Sequence, residues 1–297
     1  MEIRELEYFL ACCETGSFTA AARKAHIVQS AMSSAIARLE RDLGVPLFDR
    51  SVTPVALTEH GDALRTAAQR VLNAVRSARD EVHAASGRVR GTVVLGSTFS
   101  TGPLDLATVL TDLRTRHPEV VVQLRQSSAG STGNLRAILD GSLDIALTAS
   151  GERQPDGIMF RPLIEEPLVF ACRADHPLAG RATITLPDLS AEPILRFPPG
   201  WAMRDTMDRV LGPAQSATEV ADYGLMTKLV GAGFGTTLLP ASAATGGDGL
   251  LVIPLDAPGL TWQLSVAVSA RRRPKAATEA LLDALTATAN NAAGSRT

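Results

Sequence analysis

The sequence predicts an α/β protein with an all-α winged helix-turn-helix domain at its N-terminus and two Rossmann-like subdomains in its C-terminal part. Two observations carry this prediction. Helically spaced apolar residues and a hairpin pattern fill residues 1–90, and strand patterns alternate with helix patterns afterwards. We expect a winged helix-turn-helix domain at 1–58, a linker or dimerisation helix at 59–90, and a cleft-bearing domain at 91–297, with subdomain I at 91–162 and 268–297 and subdomain II at 163–267.

Length and composition describe an ordinary globular chain. It has 297 residues, of which 45% are hydrophobic and 20% charged, and a formal net charge of −2. This balance excludes a protein that coats nucleic acid through a general positive field, so phosphate binding must depend on where the basic residues lie. The N-terminal MEIRELEYFL is acidic where a signal peptide is basic, and no apolar run reaches the roughly 20 residues that cross a bilayer. We therefore expect a cytoplasmic protein with no membrane partner.

The residues that could support catalysis or metal binding are scattered. Cys12, Cys13 and Cys172 have neither metal-ligand spacing nor the even count of a disulfide framework, and the five histidines show no ligand spacing. The segment GAGFG at 231–235 follows a predicted helix and not a strand, so it indicates a turn and not a dinucleotide site. The sequence predicts no catalytic residue, no metal site and no cofactor.

Three short amphipathic helices are predicted before residue 45. An apolar helical pattern over residues 6–13 ends near Gly16, and Ser17 can cap the second helix. The third lies in AHIVQSAMSSAIARLERDLG, residues 25–44, where the large apolar side chains share one side and Gly44 ends the helix. LFDRSVTPVALT then predicts a small β-hairpin, or wing.

The opposite face of the third helix carries hydroxyls, an amide and arginines, without the Glu/Lys pairs typical of a solvated face. In a winged helix-turn-helix, one helix lies in the DNA major groove, where bulky side chains would hold the backbone away from the bases. Gln29 can pair with an adenine edge, and Ser33 and Ser34 with base edges or phosphates. Ser30 lies where helix N–H groups can meet a phosphate, and Arg38 ends this face. We predict double-stranded DNA as a partner; the alternative is a solvated helix in another small bundle.

A long helix with a heptad seam is predicted after the wing. Thr58 can cap it, and its apolar residues alternate spacings of four and three: Leu64, Ala68, Val71, Val75, Ala78 and Val82. Such a seam can pair two copies of the helix, so we expect a homodimer that holds two DNA-reading units side by side. The alternative is a helix packed on its own domain, since alanine-rich seams are weak zippers.

Residues 91–297 alternate strands and helices. The first predicted set consists of TVVLGS, a helix at Pro103–Arg116, VVVQLRQ, a helix around Leu135–Leu139, and DIALT. The second set consists of LVFACR, PILRF, a helix at Trp201–Leu211, ATEVAD and a helix at Tyr223–Val230. TWQLSVAVSA is predicted to return as a long strand before a terminal helix at Ala276–Ala289. Two open sheets joined by crossing strands would leave a cleft between them.

The predicted cleft is rich in hydroxyl groups. Ligands of open parallel sheets bind beyond the carboxyl ends of the strands, and hydroxyls there suit a small carboxylate or polar metabolite. Hydroxyl residues are also common in loops and helix caps, which is the alternative interpretation. The predicted contacts to a small-molecule effector are Ser97, Thr98, Phe99, Ser100, Ser128, Thr148 and Trp201.

The chain resembles the LysR-type transcriptional regulators. The resemblance rests on LEYFLACCETGSFTAAARKAHIVQSAMSSAIARLERDLGVPLFDR followed by LTEHG. It implies a bacterial winged helix-turn-helix homodimer or homotetramer with a two-subdomain, periplasmic-binding-protein-like effector domain. The family's DNA-reading positions fall on Gln29, Ser30, Ser33 and Ser34, with Arg50 at the base of the wing and Thr53 near the wing position that often enters the minor groove.

The departures from the family pattern are also informative. Where members have Ser-Gln-Pro, this chain has Val28, Gln29 and Ser30, which loses a hydroxyl cap worth about 0.5–2 kcal/mol. Ser34 and Thr53 stand where arginine is frequent. We therefore expect a regulator that reads DNA with fewer charged contacts than its relatives. A cytosolic two-lobed solute-binding or enzymatic module is the alternative, and it leaves residues 1–88 unexplained.

Overall fold

The structure is a computed structural model that describes residues 1–52, 54–84, 89–98, 100–149, 155–213, 218–245 and 248–294. Contacts divide the chain into two compact units. The first contains Met1–Ser86, with Asp140–Ser142 assigned to it, and the second contains Gly87–Leu139 and Leu143–Thr297.

The first unit begins with the three predicted helices, α1 (Ile3–Thr15), α2 (Phe18–Lys24) and α3 (Gln29–Leu43). Gly16 ends α1 and Gly44 ends α3, both in the left-handed conformation that favours glycine. Ser17 caps α2 through its side chain, which accepts a hydrogen bond from the Ala20 N–H at 3.3 Å. The core between the helices contains Phe9, Met32 and Ile36, each fully buried.

The wing and the long helix follow as expected. Strands β1 (Phe48–Asp49) and β2 (Ala56–Leu57) pair antiparallel, with Phe48 opposite Leu57. Helix α4 (Glu59–Ala84) is 26 residues long. The Thr58 hydroxyl accepts a hydrogen bond from the Gly61 N–H at 3.1 Å, which fixes the start of this helix.

The seam predicted on α4 is divided between two environments. Ala68 is buried in the core of the first unit, and Leu64 packs against the same core together with Leu72. Val71 is 40% exposed and Ala78 is exposed, whereas residue 82 lies outside the described side chains. The start of the seam is therefore a contact within the unit, because the helices of the small core need a fourth apolar surface to cover them.

The second unit begins with a parallel sheet. Strand β3 (Gly91–Ser97) pairs parallel with β4 (Val120–Gln126) and with β5 (Ile145–Ala149). Helix α5 (Leu106–Arg116) starts three residues later than predicted, because the Asp105 side chain accepts a hydrogen bond from the Thr108 N–H and caps it there. Helix α6 (Gly130–Asp140) connects β4 to β5.

Two long strands connect the two lobes of this unit. Strand β6 (Ile158–Arg173) begins ten residues before the predicted LVFACR, and β10 (Thr261–Ser269) pairs antiparallel with it and with β5. The far end of β6 pairs with β8 (Thr237–Pro240) and β9 (Leu250–Asp256). The subdomain boundaries predicted at 162/163 and 267/268 therefore cut through two continuous strands.

The remaining elements build the second lobe and cover the first. PILRF and the described part of ATEVAD are not strands. Two isolated bridges take their place, one from Ile194 to Thr236 and one that joins the two segments, Arg196 to Glu219. We call the part built on β3–β5 lobe I and the part built on β7–β9 lobe II. The other elements are β7 (Ile184–Thr185), short 3-10 turns at Leu186–Leu189 and Ala241–Ala243, α7 (Ala202–Leu211), α8 (Tyr223–Gly231) and α9 (Ala276–Gly294). No helix in the described part of the chain is long and apolar enough to cross a membrane.

Candidate nucleic-acid interface and ligand cavity

The polar face of α3 is open to solvent. Gln29, Ser30 and Ser34 are exposed and Ser33 is half-buried, whereas Met32 on the other side is fully buried. The Gln29 Nε2 donates a hydrogen bond to the Ser33 hydroxyl at 3.0 Å, which holds the amide along the helix. The surface combines small polar groups with an amide whose oxygen can still accept a hydrogen bond.

Helix α3 starts without the side-chain cap that α2 has. Its N-cap residue is Val28, whose side chain makes no cap hydrogen bond with the described residues and is 67% exposed. The Val28 carbonyl still accepts backbone hydrogen bonds, from Ala31 at 3.1 Å and Met32 at 3.2 Å. The helix therefore begins at Gln29, stabilised by its backbone hydrogen bonds and by the packing of its apolar side.

Arg38, a predicted DNA contact, is tied to the first helix. Its Nε donates a hydrogen bond to the Glu5 carboxylate, and Glu5 is only 3% exposed. The same carboxylate accepts the Glu2 N–H at 2.8 Å, which completes a capping box at the start of α1. The Arg38 hydrogen bond, and then the Glu2 N–H, hold the pKa of Glu5 below its usual range. The Arg38 side chain remains 61% exposed, so the ion pair orients it without covering it.

Arg50 is held at the base of the wing. It donates a hydrogen bond to the Glu40 carboxylate at 2.7 Å, and its guanidinium lies 5.3 Å from the centre of the Phe18 ring. Glu40 also accepts the Leu47 N–H at 2.9 Å, so one carboxylate joins α3, the start of the wing and Arg50. Half of the Arg50 side chain stays exposed. Thr53 lies outside the described residues.

The residues predicted from the strand ends are mostly buried. Ser97, Thr148 and Trp201 are 2%, 0% and 4% exposed, and Thr98 is also buried. Ser100 is half-buried and Ser128 is exposed, while Phe99 lies outside the described residues. The Thr98 hydroxyl donates a hydrogen bond to the Ser100 carbonyl at 2.9 Å, a contact within its own loop.

A cavity of about 900 Å³ opens between lobe I and lobe II. One wall is the side of α6, the other is the side of α7, and the segment Gly259–Gln263 at the start of β10 completes it. None of the predicted effector residues lines this cavity, although Thr148 and Trp201 each precede a lining residue. Its polar lining consists of Ser131, Thr132, Arg136, Asp205, Thr206, Arg209, Thr261 and Gln263.

The charged residues of the cavity come from both lobes. Arg136 lies on α6 and makes no ion pair with any described residue, and Arg209 lies on α7. Asp205 is the one acid among the cavity's described lining residues; desolvation and then the neighbouring Asp208 raise its pKa. The described lining thus brings two arginines and one acid together, and guanidinium groups are the ordinary partners of carboxylate anions.

The two lobes touch where two glycines meet beside this cavity. The Thr132 N–H donates a hydrogen bond to the Gly200 carbonyl at 3.0 Å. Gly130 has φ +60°, and a Cβ there would lie 2.8 Å from both the Gly200 oxygen and the Trp201 ring. Trp201 in turn stacks on Phe197 with ring centroids 6.2 Å apart. Only glycine permits this approach, so the contact depends on the absence of a side chain.

A network of ion pairs holds the wall formed by α7. Arg196 is 5% exposed and donates to Asp208 at 2.7 Å, and Arg204 donates to the same carboxylate at 2.6 Å. Arg204 also donates to Glu219 at 2.6 Å and to the Phe197 carbonyl at 3.0 Å. Each guanidinium therefore has a carboxylate partner, and removal of either partner would leave a charge uncompensated in this wall.

The three cysteines and the described metal-ligating residues offer little reactive chemistry. Burial raises the pKa of Cys12 to about 11 and that of Cys13 to about 12, and it raises the pKa of Cys172 as well. All three residues are then thiols at neutral pH, which are poor nucleophiles. Among the described residues, no group of three or more His, Cys, Asp or Glu could hold a metal ion.

Sequence reasoning missed the arginines of the cavity because they carry no local signal. Arg136 and Arg209 lie on the sides of helices, where exposed arginine is ordinary. Whether the two arginines line one cavity depends on how the lobes pack. Each arginine lies more than one turn after the start of a helix that faces the cleft. That position is the signal that could have found it.

The comparisons with known proteins agree with both parts of the chain. Residues 3–62 match the bacterial regulatory helix-turn-helix family of the lysR type, and residues 86–290 match the LysR substrate binding domain. OxyR of Escherichia coli, a DNA-binding transcriptional dual regulator, is 31% identical over 269 residues, which cover 87% of this chain and 86% of that protein.

Two full-length structures are similar over nearly the whole chain. OxyR from Pseudomonas aeruginosa has a TM-score of 0.71 at 25% identity and covers 96% of this chain and 98% of its own. CbnR in complex with its target DNA has a TM-score of 0.67 at 25% identity and covers 98% of this chain and all of its own. The chain therefore belongs to the LysR family of transcriptional regulators.

Proposed function

We propose that α3 and the wing of this regulator contact promoter DNA through Gln29, Ser30, Ser33, Ser34, Arg38, Arg50 and Thr53. The observation that carries the proposal is the exposed face of small polar groups on α3, opposite a fully buried apolar side. Small side chains let the helix backbone approach the base edges, which a face of long side chains would prevent. The DNA complex of CbnR, which is similar over the whole chain, supports this use of the domain.

The two anchored arginines suit contacts to phosphate. Arg38 and Arg50 are each tethered to a glutamate but remain at least half exposed, so each presents its free N–H groups at a fixed place on the surface. Contacts to phosphate position a protein on the duplex and carry no sequence information. Sequence reading is then assigned to Gln29 and the serines.

Binding to DNA flanking the chain's own gene tests this proposal. Fluorescence anisotropy at moderate salt should give sequence-preferring binding that Gln29→Ala weakens. Glu7→Ala, which removes an exposed side chain from α1, is the matched control and should bind like the wild type. Equal affinity for unrelated DNA, with and without a metabolite extract, contradicts the proposal.

The second part of the proposal is a homodimer, or a homotetramer built from dimers, that pairs through α4. Val71 is 40% exposed and Ala78 is exposed, although both belong to the predicted seam. Leu64 and Ala68 are used within the unit, so the later part of the helix supplies the pairing surface. A particle that sediments as a monomer at micromolar concentration contradicts this part.

The effector is proposed to be a small acid bound in the cavity between α6 and α7. Arg136 and Arg209 approach it from different lobes, and hydroxyls and one amide complete the polar lining. A ligand that contacts both lobes favours one angle between them and so shifts the population of that arrangement. The effector contacts predicted from the sequence do not line this cavity. They stay predictions, separate from the proposed site.

Thermal unfolding of the full-length chain tests the effector. A panel of acetate, succinate, citrate and benzoate should contain a member that raises the melting temperature, with a stabilisation that grows with the logarithm of its concentration once that exceeds Kd. Arg136→Gln should abolish that rise, whereas Arg114→Gln, on the exposed surface of α5, should preserve it. A rise that Arg136→Gln leaves intact contradicts the assignment of the cavity.

Peroxide is not the proposed signal, although relatives are described as hydrogen peroxide-inducible genes activators. A thiol sensor requires an accessible thiolate, and burial holds Cys12, Cys13 and Cys172 in the thiol form. Excess hydrogen peroxide should leave DNA affinity unchanged. We further propose that the chain acts in the cytoplasm and has no catalytic turnover, in keeping with relatives that are transcriptional regulators.

A further inference from the structure

Val28 is the feature of the DNA-facing surface that the proposed contacts leave unexplained. Its side chain is 67% exposed, more than any other large apolar side chain in the described part of the first unit. It also occupies the N-cap, where valine is one of the least favoured residues because it offers no acceptor to the first N–H groups. One position thus combines two unfavourable features, exposure of apolar surface and loss of a cap.

The local backbone explains where this side chain points. Ile27 packs against the core of the first unit, and Val28 has extended backbone with φ −77° and ψ 148°. The chain thus changes direction between Ile27, which packs inward, and Val28, which is exposed. Val28 therefore adds its side chain to the exposed surface that carries Gln29.

The surroundings of Val28 are those of a methyl-binding surface. Ala31, three residues later and also exposed, has the only other apolar side chain among the exposed residues 28–31 at this end of α3. Gln29 lies between them, and its amide can pair with an adenine. The N-terminal residues of a recognition helix are those that reach base edges in the major groove.

We propose that Val28 is a specificity-determining residue that contacts the C5-methyl group of a thymine in the half-site, next to the adenine read by Gln29. The major groove distinguishes thymine from cytosine by this methyl group, and apolar side chains are its ordinary partners. This inference rests on the proposed DNA contacts of α3. The exposed apolar surface of Val28 then has a ligand, and base recognition explains why valine stands at the N-cap in place of a capping residue.

Replacement of thymine by deoxyuridine tests the inference, because it removes the methyl group and nothing else. Half-sites are first selected from a randomised duplex library with the full-length wild-type protein, and each thymine is then replaced in turn. One replacement should weaken wild-type binding about four-fold, the value of one buried methyl group. The same replacement should not change the affinity of Val28→Ala or Val28→Ser.

Two variants separate recognition from stability. Val28→Ser supplies a cap acceptor, so its melting temperature should rise while its sensitivity to the thymine methyl disappears. Leu43→Ala removes another exposed apolar side chain, 39% exposed at the far end of α3, and should keep the wild-type sensitivity.

The outcomes distinguish the role of Val28 from the proposed DNA contacts of α3. A selected half-site in which no thymine shows the effect, or in which Val28→Ala keeps it, overturns the role of Val28 alone. A library from which no sequence is enriched overturns the proposed DNA contacts, and this inference with them.

Discussion

The exposed polar surface of α3, proposed to face DNA, and the cavity between α6 and α7 are both polar, but they are built differently. The first is carried by one helix and by side chains fastened within the same small unit, such as Arg38 to Glu5. The second takes its walls from two lobes that share only the strands β6 and β10 as continuous connections in the described chain. A change of angle between the lobes alters the separation of Arg136 and Arg209 and leaves the α3 surface unchanged.

This difference matches the two tasks of the molecule. Base edges lie at fixed positions in the major groove, so a surface that reads them must be rigid. A ligand regulates a protein only if it binds one arrangement better than another, so its site must be able to change. The interaction between Thr132 and Gly200 is then a contact that the angle between the lobes can make or break.

The largest expected effect comes from the core of the first unit. Phe9 is fully buried and packs on Phe48 with ring centroids 5.4 Å apart. Phe9→Ala should lower the free energy of unfolding of this unit by about 3–5 kcal/mol. Both tryptophans, Trp201 and Trp262, lie in the second unit, so circular dichroism should show an earlier step while tryptophan fluorescence keeps its transition.

The exposed Phe234 supplies the control for that experiment. It is 68% exposed, and Phe234→Ala should leave both signals unchanged. If the midpoint of the fluorescence transition of Phe9→Ala falls together with that of the circular dichroism transition, the two units unfold as one. The contrast drawn between them would then be wrong.

The next effect concerns the contact between the lobes. Gly130→Ala should cost about 2–4 kcal/mol, the sum of left-handed strain and of a Cβ placed 2.8 Å from the Gly200 oxygen. Trp201 should become more exposed, with red-shifted emission and stronger quenching by acrylamide. Gly44→Ala is the matched control, since Gly44 is left-handed (φ +72°, ψ 12°) but has nothing within 4 Å of its Cβ position. Equal spectra for the two variants would show that the glycine contact does not hold the lobes together.

Glu5→Gln tests the anchoring of the DNA-facing surface. Loss of a hydrogen bond to a charged group should cost the first unit about 1–3 kcal/mol at neutral pH. Because Arg38 lowers the pKa of Glu5 in the folded state, this stabilisation is complete above the ordinary glutamate pKa and is lost as pH falls through the lowered value. The difference between the variant and the wild type should therefore shrink in acid. Glu7→Gln, on the exposed side of α1, should change stability little at any pH.

Local signals explain why the first unit could be predicted closely. Gly16, Ser17, Gly44 and Thr58 each fix one helix end through their own backbone preference or hydroxyl group, and the structure confirms all four ends. The alternating spacing on α4 was correct as a helix but ambiguous as an interface. Whether an apolar face meets its own domain or a second copy depends on what lies opposite, and the periodicity contains no information about that.

Strand β6 shows why the second unit could be predicted less well. Its first ten residues include Pro162, Glu165, Glu166 and Pro167, which obscure the strand pattern because proline and acids are depleted in strands. The pairing with β10 overrides that local preference. The helix-turn GAGFG was correctly assigned as a turn, since α8 ends at Gly231 and β8 begins at Thr237. The cavity residues were missed because the packing of two lobes, and not local sequence, brings them together.

The smallest expected effect tests whether this chain reads DNA with few charged contacts. Each phosphate neutralised by a basic side chain adds about 0.9 to the slope of log K against log salt concentration. Ser34 is exposed on the face of α3 that we propose reads DNA, so Ser34→Arg should steepen the slope by about one. Arg50→Gln should make the slope shallower by about one. Arg209→Gln, in the cavity, should leave the slope unchanged. If Arg50→Gln also leaves it unchanged, Arg50 acts only by joining Glu40 and Phe18, and the charged part of the interface lies elsewhere.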